Sequence, residues 1–184
     1  MAIPVIFIQG GGPGARAADA ALYASLVQHL GESFAVDYPE MPDEDNPDYG
    51  RWAPVIAAAI ASATVPPVLV GHSNGGYLLL KLLTTERPLA SFPALCLIAA
   101  PFPDGDPDWS FEGFDLPDDF GARLPADAAV FLYASRDDEV VPFAHRDLYA
   151  AEIPGATTRT TAGGHQLGEN LKVVADDIRA AIAE

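Results

Sequence analysis

Short β-branched or aliphatic runs recur along the chain at Ile3 to Ile8, Phe34 to Asp37, Pro67 to Val70, Ala94 to Ala99, Ala129 to Ala134 and Thr157 to Thr161. Between them lie Ala- and Leu-rich amphipathic stretches of helical length, at about Arg16 to Leu30, Tyr49 to Ala63, Gly75 to Glu86, Pro142 to Ala151 and Gly168 to Ile182. Such alternation predicts a doubly wound α/β domain with about six parallel strands and helices on both faces. Pro67 to Val70 and Ala94 to Ala99 are apolar without alternation, as strands covered on both sides must be, so they are expected at the centre of the sheet.

Two segments break the pattern. Pro39 to Pro54 is acidic and proline-rich and reads as a surface connection. Residues 101–124 have no period and mix four prolines with Phe102, Trp109, Phe111, Phe114 and Phe120. So many aromatic residues argue against disorder, and a loop this long commonly has a function. Two readings share it: rings that cover one end of the sheet, or a pocket wall in which Trp109, Phe111 and Phe114 touch substrate.

The 184 residues suit one domain, expected over 1–184, that buries a large core without disulfides. The lone Cys96 sits in the run Leu95-Cys96-Leu97-Ile98 and reads as a buried, inert thiol in a reducing, cytoplasmic setting. The apolar start, Met1 to Ile8, lacks the basic residues and length of a secretory signal, and no run reaches the 18 apolar residues of a membrane span. A formal charge of −16 disfavours nucleic acid and anionic membrane surfaces, whose binding is built on Lys and Arg. A small, neutral or cationic molecule is the expected partner. No H-x-H, H-E-x-x-H or paired-cysteine spacing is present, so no metal or other cofactor is expected.

The chemistry concentrates after the third run, at Gly71-His72-Ser73-Asn74-Gly75-Gly76, followed by the apolar helix Tyr77 to Leu83. A serine on a sharp strand-to-helix turn needs small residues two before and two after it, and Gly71 and Gly75 supply them. Its hydroxyl is a poor nucleophile alone, so an imidazole must take its proton and a carboxylate must hold that imidazole, here in the chain order Ser, acid, His. His29 lies in the first helix, His72 precedes the serine where the turn directs it away, and His145 belongs to the helix after the fifth strand. His165, in Ala162-Gly163-Gly164-His165-Gln166 beyond the last strand, stands at the carboxyl end of the sheet and is the expected base. The loop after the fifth strand offers Asp137, Asp138 and Glu139 as competing acids.

These features resemble the α/β-hydrolase superfamily, and the likeness spans nearly the whole chain. The superfamily's late acid loop commonly reads D-x-x-V-P, which Asp138-Glu139-Val140-Val141-Pro142 matches, so the resemblance favours Asp138 over Asp137 and Glu139. It implies a compact, capless serine hydrolase, esterase-like, with Ser73, His165 and Asp138 as its triad. It also implies an oxyanion hole made by the Asn74 N–H and an N–H at Gly11 or Gly12. The usual antiparallel N-terminal strands are missing here, and Gln9 stands where many members have histidine.

Two other readings compete. The scaffold of a hydrolase can carry a binding or regulatory protein with no active triad. Alternatively Gly10-Gly11-Gly12-Pro13-Gly14-Ala15, with Asp37 ending the second strand, satisfies a dinucleotide fingerprint of an oxidoreductase. Pro13 removes an N–H from the turn that would cradle the pyrophosphate, and that reading leaves the serine turn, acid loop and terminal histidine unexplained.

Overall fold

The computed structural model describes residues 2–85 and 91–183. Six strands form one parallel sheet: β1 (Ile3–Ile8), β2 (Phe34–Asp37), β3 (Val68–His72), β4 (Ala94–Ile98), β5 (Ala129–Ser135) and β6 (Thr157–Thr161), in the order β2-β1-β3-β4-β5-β6. The doubly wound parallel sheet is therefore as the sequence led us to expect. The chain first steps from β1 outward to β2, then returns past β1 to β3 and continues the other way. The gap between the carboxyl ends of β1 and β3 is thus the topological switch point, where ligands of such sheets bind.

Side chains alternate between the two faces, and both faces are covered by buried apolar residues. Val5, Phe7, Val68, Val70, Cys96, Ile98 and Tyr133 meet the apolar stripes of α1 (Ala15–Leu30) and α6 (Lys172–Ala183). Ile6, Ile8, Leu69, Leu95, Leu97 and Leu132 meet α2 (Tyr49–Ser62), α3 (Asn74–Thr85), α4 (Phe120–Arg123) and α5 (Ala144–Glu152). This two-sided burial explains the unbroken apolar sequence of β3 and β4. Both edge strands alternate between half-buried and exposed residues, and the outermost, β6, is the polar run Thr-Thr-Arg-Thr-Thr. Among the described residues no helix is long and apolar enough to cross a membrane.

Some boundaries differ from expectation, with identifiable causes. β3 runs on through Gly71 and His72, which pair with Leu97 and Ile98 of β4. The last helix starts at Lys172 rather than Gly168, because Leu167 and Gly168 take left-handed conformations (φ 49° and 60°) that end a 3-10 turn over Gly164–Glu169. The Asn170 side chain then accepts from Lys172 N–H at 2.9 Å and starts α6. The third helix runs to Thr85, and its expected end at Glu86 lies outside the described residues.

Candidate active site

Ser73 follows β3 directly and opens α3. Its φ is 51°, a left-handed conformation that costs an L-residue about 1–2 kcal/mol and is held here by the surrounding backbone. Ser73 N–H donates to the Ile98 carbonyl at 2.8 Å, and the Ser73 carbonyl accepts from Gly76 N–H at 2.9 Å. The turn closes only because its flanks lack side chains. A Cβ at Gly75 would lie 2.0 Å from the Gln9 carbonyl oxygen, and one at Gly71 would lie 2.5 Å from Gly76 Cα. The serine lands beside the β1 loop, where a Cβ at Gly10 would stand 3.2 Å from the Ser73 Cβ.

The carboxylate competition in the acid loop is decided by geometry. Asp138 places Oδ2 2.9 Å from His165 Nδ1, and its side chain is 1% exposed. Asp138 Oδ1 accepts from Val140 N–H (2.8 Å) and Val141 N–H (3.0 Å). Burial pushes this carboxyl up, but the hydrogen bond from His165 and those two backbone donors outweigh it and hold it below the ordinary 3.8. Asp137 is exposed and does something else: its Oδ2 accepts from Gly163 N–H at 3.1 Å, tying down the loop that carries His165. The N–H groups of Gly164 and Gly163 hold its carboxyl below the ordinary range. Glu139 is exposed.

His165 sits on the 3-10 turn after β6, with its ring centroid 4.7 Å from that of His72, the residue before Ser73. The structure thus brings Asp138, His165 and the serine turn to one edge of the sheet. No described hydrogen bond joins the Ser73 hydroxyl to His165 Nε2; in unliganded sites such bonds are commonly long and tighten with substrate.

The expected oxyanion donors separate into two kinds. Gly12 N–H is taken by the Glu44 carbonyl at 2.6 Å. Asn74 N–H, at the first turn of α3, has no intrahelical acceptor, as is general for helix starts, and none is described for Gly11 N–H. Gly11 is covered by Pro47 and the Asn74 amide, since a Cβ there would lie 2.5 Å from Pro47 Cγ and 3.2 Å from Asn74 Nδ2.

The proline-rich connection is therefore more than a surface crossing. Glu44 Oε2 accepts from Gln9 Nε2 and from Arg16 N–H, both at 2.7 Å, while Gln9 Oε1 accepts from the Arg16 guanidinium at 3.4 Å. Gln9, fully buried, thus holds the β1 loop through Glu44. No local pattern in the sequence announces this, because the partners lie 28 and 35 residues apart.

The aromatic stretch is ordered from below by buried polar groups. His145 Nδ1 accepts from Phe102 N–H at 2.8 Å and its Nε2 faces Asp106 at 2.7 Å. Lys81, nearly buried, donates to the Gly113 carbonyl at 2.8 Å and to Asp115 at 2.6 Å. Phe111, Phe114, Tyr77 and Asn74 line a cleft of about 530 Å³ whose rim carries Asp45, Asp48 and Glu112. Trp109 is not on that wall. It belongs to a 3-10 turn (Pro107–Trp109) and packs behind Phe114, with ring centroids 5.8 Å apart, against the apolar core.

Asp19 and His72 form a further pair that the sequence reading did not include. His72 Nδ1 lies 2.8 Å from Asp19 Oδ2, and each side chain is 1% exposed. A signal was available: Asp19 falls on the stripe of α1 that also carries Leu22, Leu26 and Leu30, an acid where an apolar residue is the rule.

The chain belongs to the alpha/beta hydrolase family, which its sequence matches over residues 5–182. Among solved structures it is similar to Est1E from Butyrivibrio proteoclasticus (18% identity, 100% of this chain and 89% of that one, TM-score 0.73). It is also similar to the ydeN gene product of B. subtilis (20% identity, 99% and 100% covered, TM-score 0.74). A third is the CarC enzyme, a serine hydrolase involved in carbazole degradation (17% identity, 98% and 91% covered, TM-score 0.73). At these identities the likeness establishes the shared fold. No curated protein sequence matches the chain.

Proposed function

We propose that this protein is a serine hydrolase that cleaves an ester-type bond of a small neutral substrate. The observation that carries the reading is the buried Asp138 carboxylate 2.9 Å from His165 Nδ1, on a turn that packs against His72, the residue before the strained Ser73. In this reading His165 Nε2 takes the Ser73 hydroxyl proton as Oγ attacks the carbonyl carbon. Gly11 and Asn74 N–H groups hold the resulting oxyanion. Collapse breaks the bond to the alcohol, which leaves with the proton from His165. Water, deprotonated by the same ring, then attacks the acyl-serine and frees the acid and the hydroxyl. Asp138 remains ionised throughout and stabilises the imidazolium that forms twice in each cycle.

The glycine loop argues against the dinucleotide reading. The N–H groups that would face a pyrophosphate are bonded to protein oxygens: Gly10 N–H to the Asp19 carboxylate, Gly12 N–H to the Glu44 carbonyl and Arg16 N–H to the Glu44 carboxylate. A polyphosphate would meet two carboxylates there.

The test is labelling by a serine-directed fluorophosphonate, with Ser73→Ala as control, followed by turnover of chromogenic esters. We expect stoichiometric labelling at Ser73 and none in the variant. Folded wild-type protein that neither labels nor turns over esters would overturn the hydrolase reading in favour of a binding protein on a hydrolase scaffold.

A further inference from the structure

The Asp19–His72 pair ties together three segments of the proposed site: the β1 loop, the end of β3 and the turn that carries His165. Asp19 Oδ2 accepts from Gly10 N–H at 2.7 Å, at the root of the loop that presents Gly11. Asp19 Oδ1 accepts from the Gln166 amide at 3.0 Å, on the turn that presents His165. His72 is the last residue of β3, directly before Ser73, and its Nε2 lies 2.9 Å from the His165 carbonyl oxygen. One carboxylate and one ring therefore join segments 9, 53 and 147 residues away from Asp19.

Each ring nitrogen of His72 meets an oxygen. His72 Nε2 faces a carbonyl oxygen, which can only accept, so Nε2 carries a proton. His72 Nδ1 faces Asp19 Oδ2, an oxygen that already accepts from Gly10 N–H. Burial pushes the Asp19 carboxyl up, but the hydrogen bond and charge of His72, with Gly10 N–H and Gln166, outweigh it and hold it below the ordinary 3.8. The titratable groups around the pair are His165 on the turn after β6, with Asp138 behind it, and Tyr38, whose phenol is pushed up by burial and then by the Asp19 charge.

Building on the hydrolase reading, we infer that Asp19 and His72 are positioning residues. They form a buried, hydrogen-bonded carboxyl–imidazole pair that locks the oxyanion loop and the His165 turn to the nucleophile strand. A buried pair of this kind is weak as a source of net stability, because desolvation offsets most of the attraction, and strong as a geometric constraint, because removing one partner strands the other. The role is distinct from that of Asp138: neither Asp19 nor His72 exchanges a proton with substrate, and both act by fixing where Gly11 N–H and the His165 ring stand relative to Ser73.

The experiment combines kinetics with histidine NMR on the full chain. In ring-labelled wild type, the ring N–H signal that disappears in His72→Gln is expected to be protected from exchange with solvent, and in Asp19→Asn that protection is expected to fall. With Ser73 labelling in wild type already shown, Asp19→Asn is expected to lower kcat about 10- to 100-fold with KM changed less than about threefold, as a misplacement of donors of roughly an ångström does. A His72 ring N–H that exchanges freely with solvent in wild type, or a folded Asp19→Asn with kcat within twofold of wild type, would overturn the proposal. Should Asp19→Asn fail to fold, Gln166→Ala carries the same kinetic test through the milder contact, with a fewfold fall in kcat expected and an unchanged kcat counting against the proposal. Wild type that never labels at Ser73 overturns the hydrolase reading instead, and the two failures are thus told apart.

Discussion

Two aspartate–histidine pairs stand side by side at the carboxyl end of this sheet, their rings 4.7 Å apart, and they are built from the same parts. In each a buried carboxylate lies within 2.9 Å of Nδ1. They differ in what the second nitrogen meets. His72 Nε2 faces a backbone carbonyl and is spent on structure, whereas no partner is described for His165 Nε2, whose ring is 15% exposed against 1% for that of His72. The lesson is that residue type does not make an imidazole a base. Under the hydrolase reading, the ring that serves as base is the one whose second nitrogen has no described partner, and burial with a second acceptor takes His72 out of that role.

The sharpest way to break this contrast is to neutralise each carboxylate in turn. Asp138→Asn is expected to lower kcat about 10³- to 10⁴-fold while leaving substrate binding nearly intact, since it withdraws the charge that stabilises a forming imidazolium. The loss from Asp19→Asn is one to three orders of magnitude smaller by the argument given above. Equal losses measured by steady-state kinetics would mean that the two pairs do one job.

The pH dependence of stability sharpens the same comparison. The folded-state carboxyl of Asp138 is held below the 3.8 of an unfolded chain, so its stabilising contribution is fully present above that value and disappears as pH falls through the lower, folded one. Thermal melts of wild type and Asp138→Asn should therefore differ by a constant amount from neutral pH to about pH 5 and converge below 3.8. A gap that closes well above pH 5 would show that the Asp138 carboxyl does not carry the difference.

The smallest effect concerns two rings that the sequence presents as equivalents. Phe111 and Phe114 stack at 4.7 Å, yet Phe114 is 4% exposed and Phe111 is 56% exposed. Truncating Phe114 to Ala should cost about 3 kcal/mol in denaturant unfolding, because it empties a packed site. Phe111→Ala should cost no more than about 0.5 kcal/mol and change only the chain-length preference for ester substrates, if the cleft beside Asn74 takes the acyl group. Identical destabilisation by both would place Phe111 in the core.

How much of this was legible follows from the range over which each feature is encoded. The central strands are announced by unbroken apolar runs, and the serine turn by two glycines whose absent side chains are a strict local requirement. The resemblance picked out Asp138 from three neighbours by the spacing to Pro142, and the structure sets that carboxylate against His165. The end of the turn after His165, Gly168 and Glu169, reads from sequence as the start of the last helix, because the left-handed Leu167 has no local signature and is held by burial of its side chain. Glu44 was read as part of a solvated acidic connection, since its partners Gln9 and Arg16 come together only when β1 and α1 are already in place. Asp19 lay between these cases. It was visible as a misplaced acid on an apolar helix stripe, and its partner was dismissed because only its relation to Ser73 was weighed.

Cys96 gives the central strand a built-in reporter. Its thiol is fully buried between β3 and β5 and is pushed up to about 12 by burial, so a thiol-modifying dye finds neither access nor thiolate while the sheet is intact. Because it is the sole cysteine, every modification event counts an opening of the middle of the molecule, and the sequence thus carries its own clock for the rarest fluctuation of the fold.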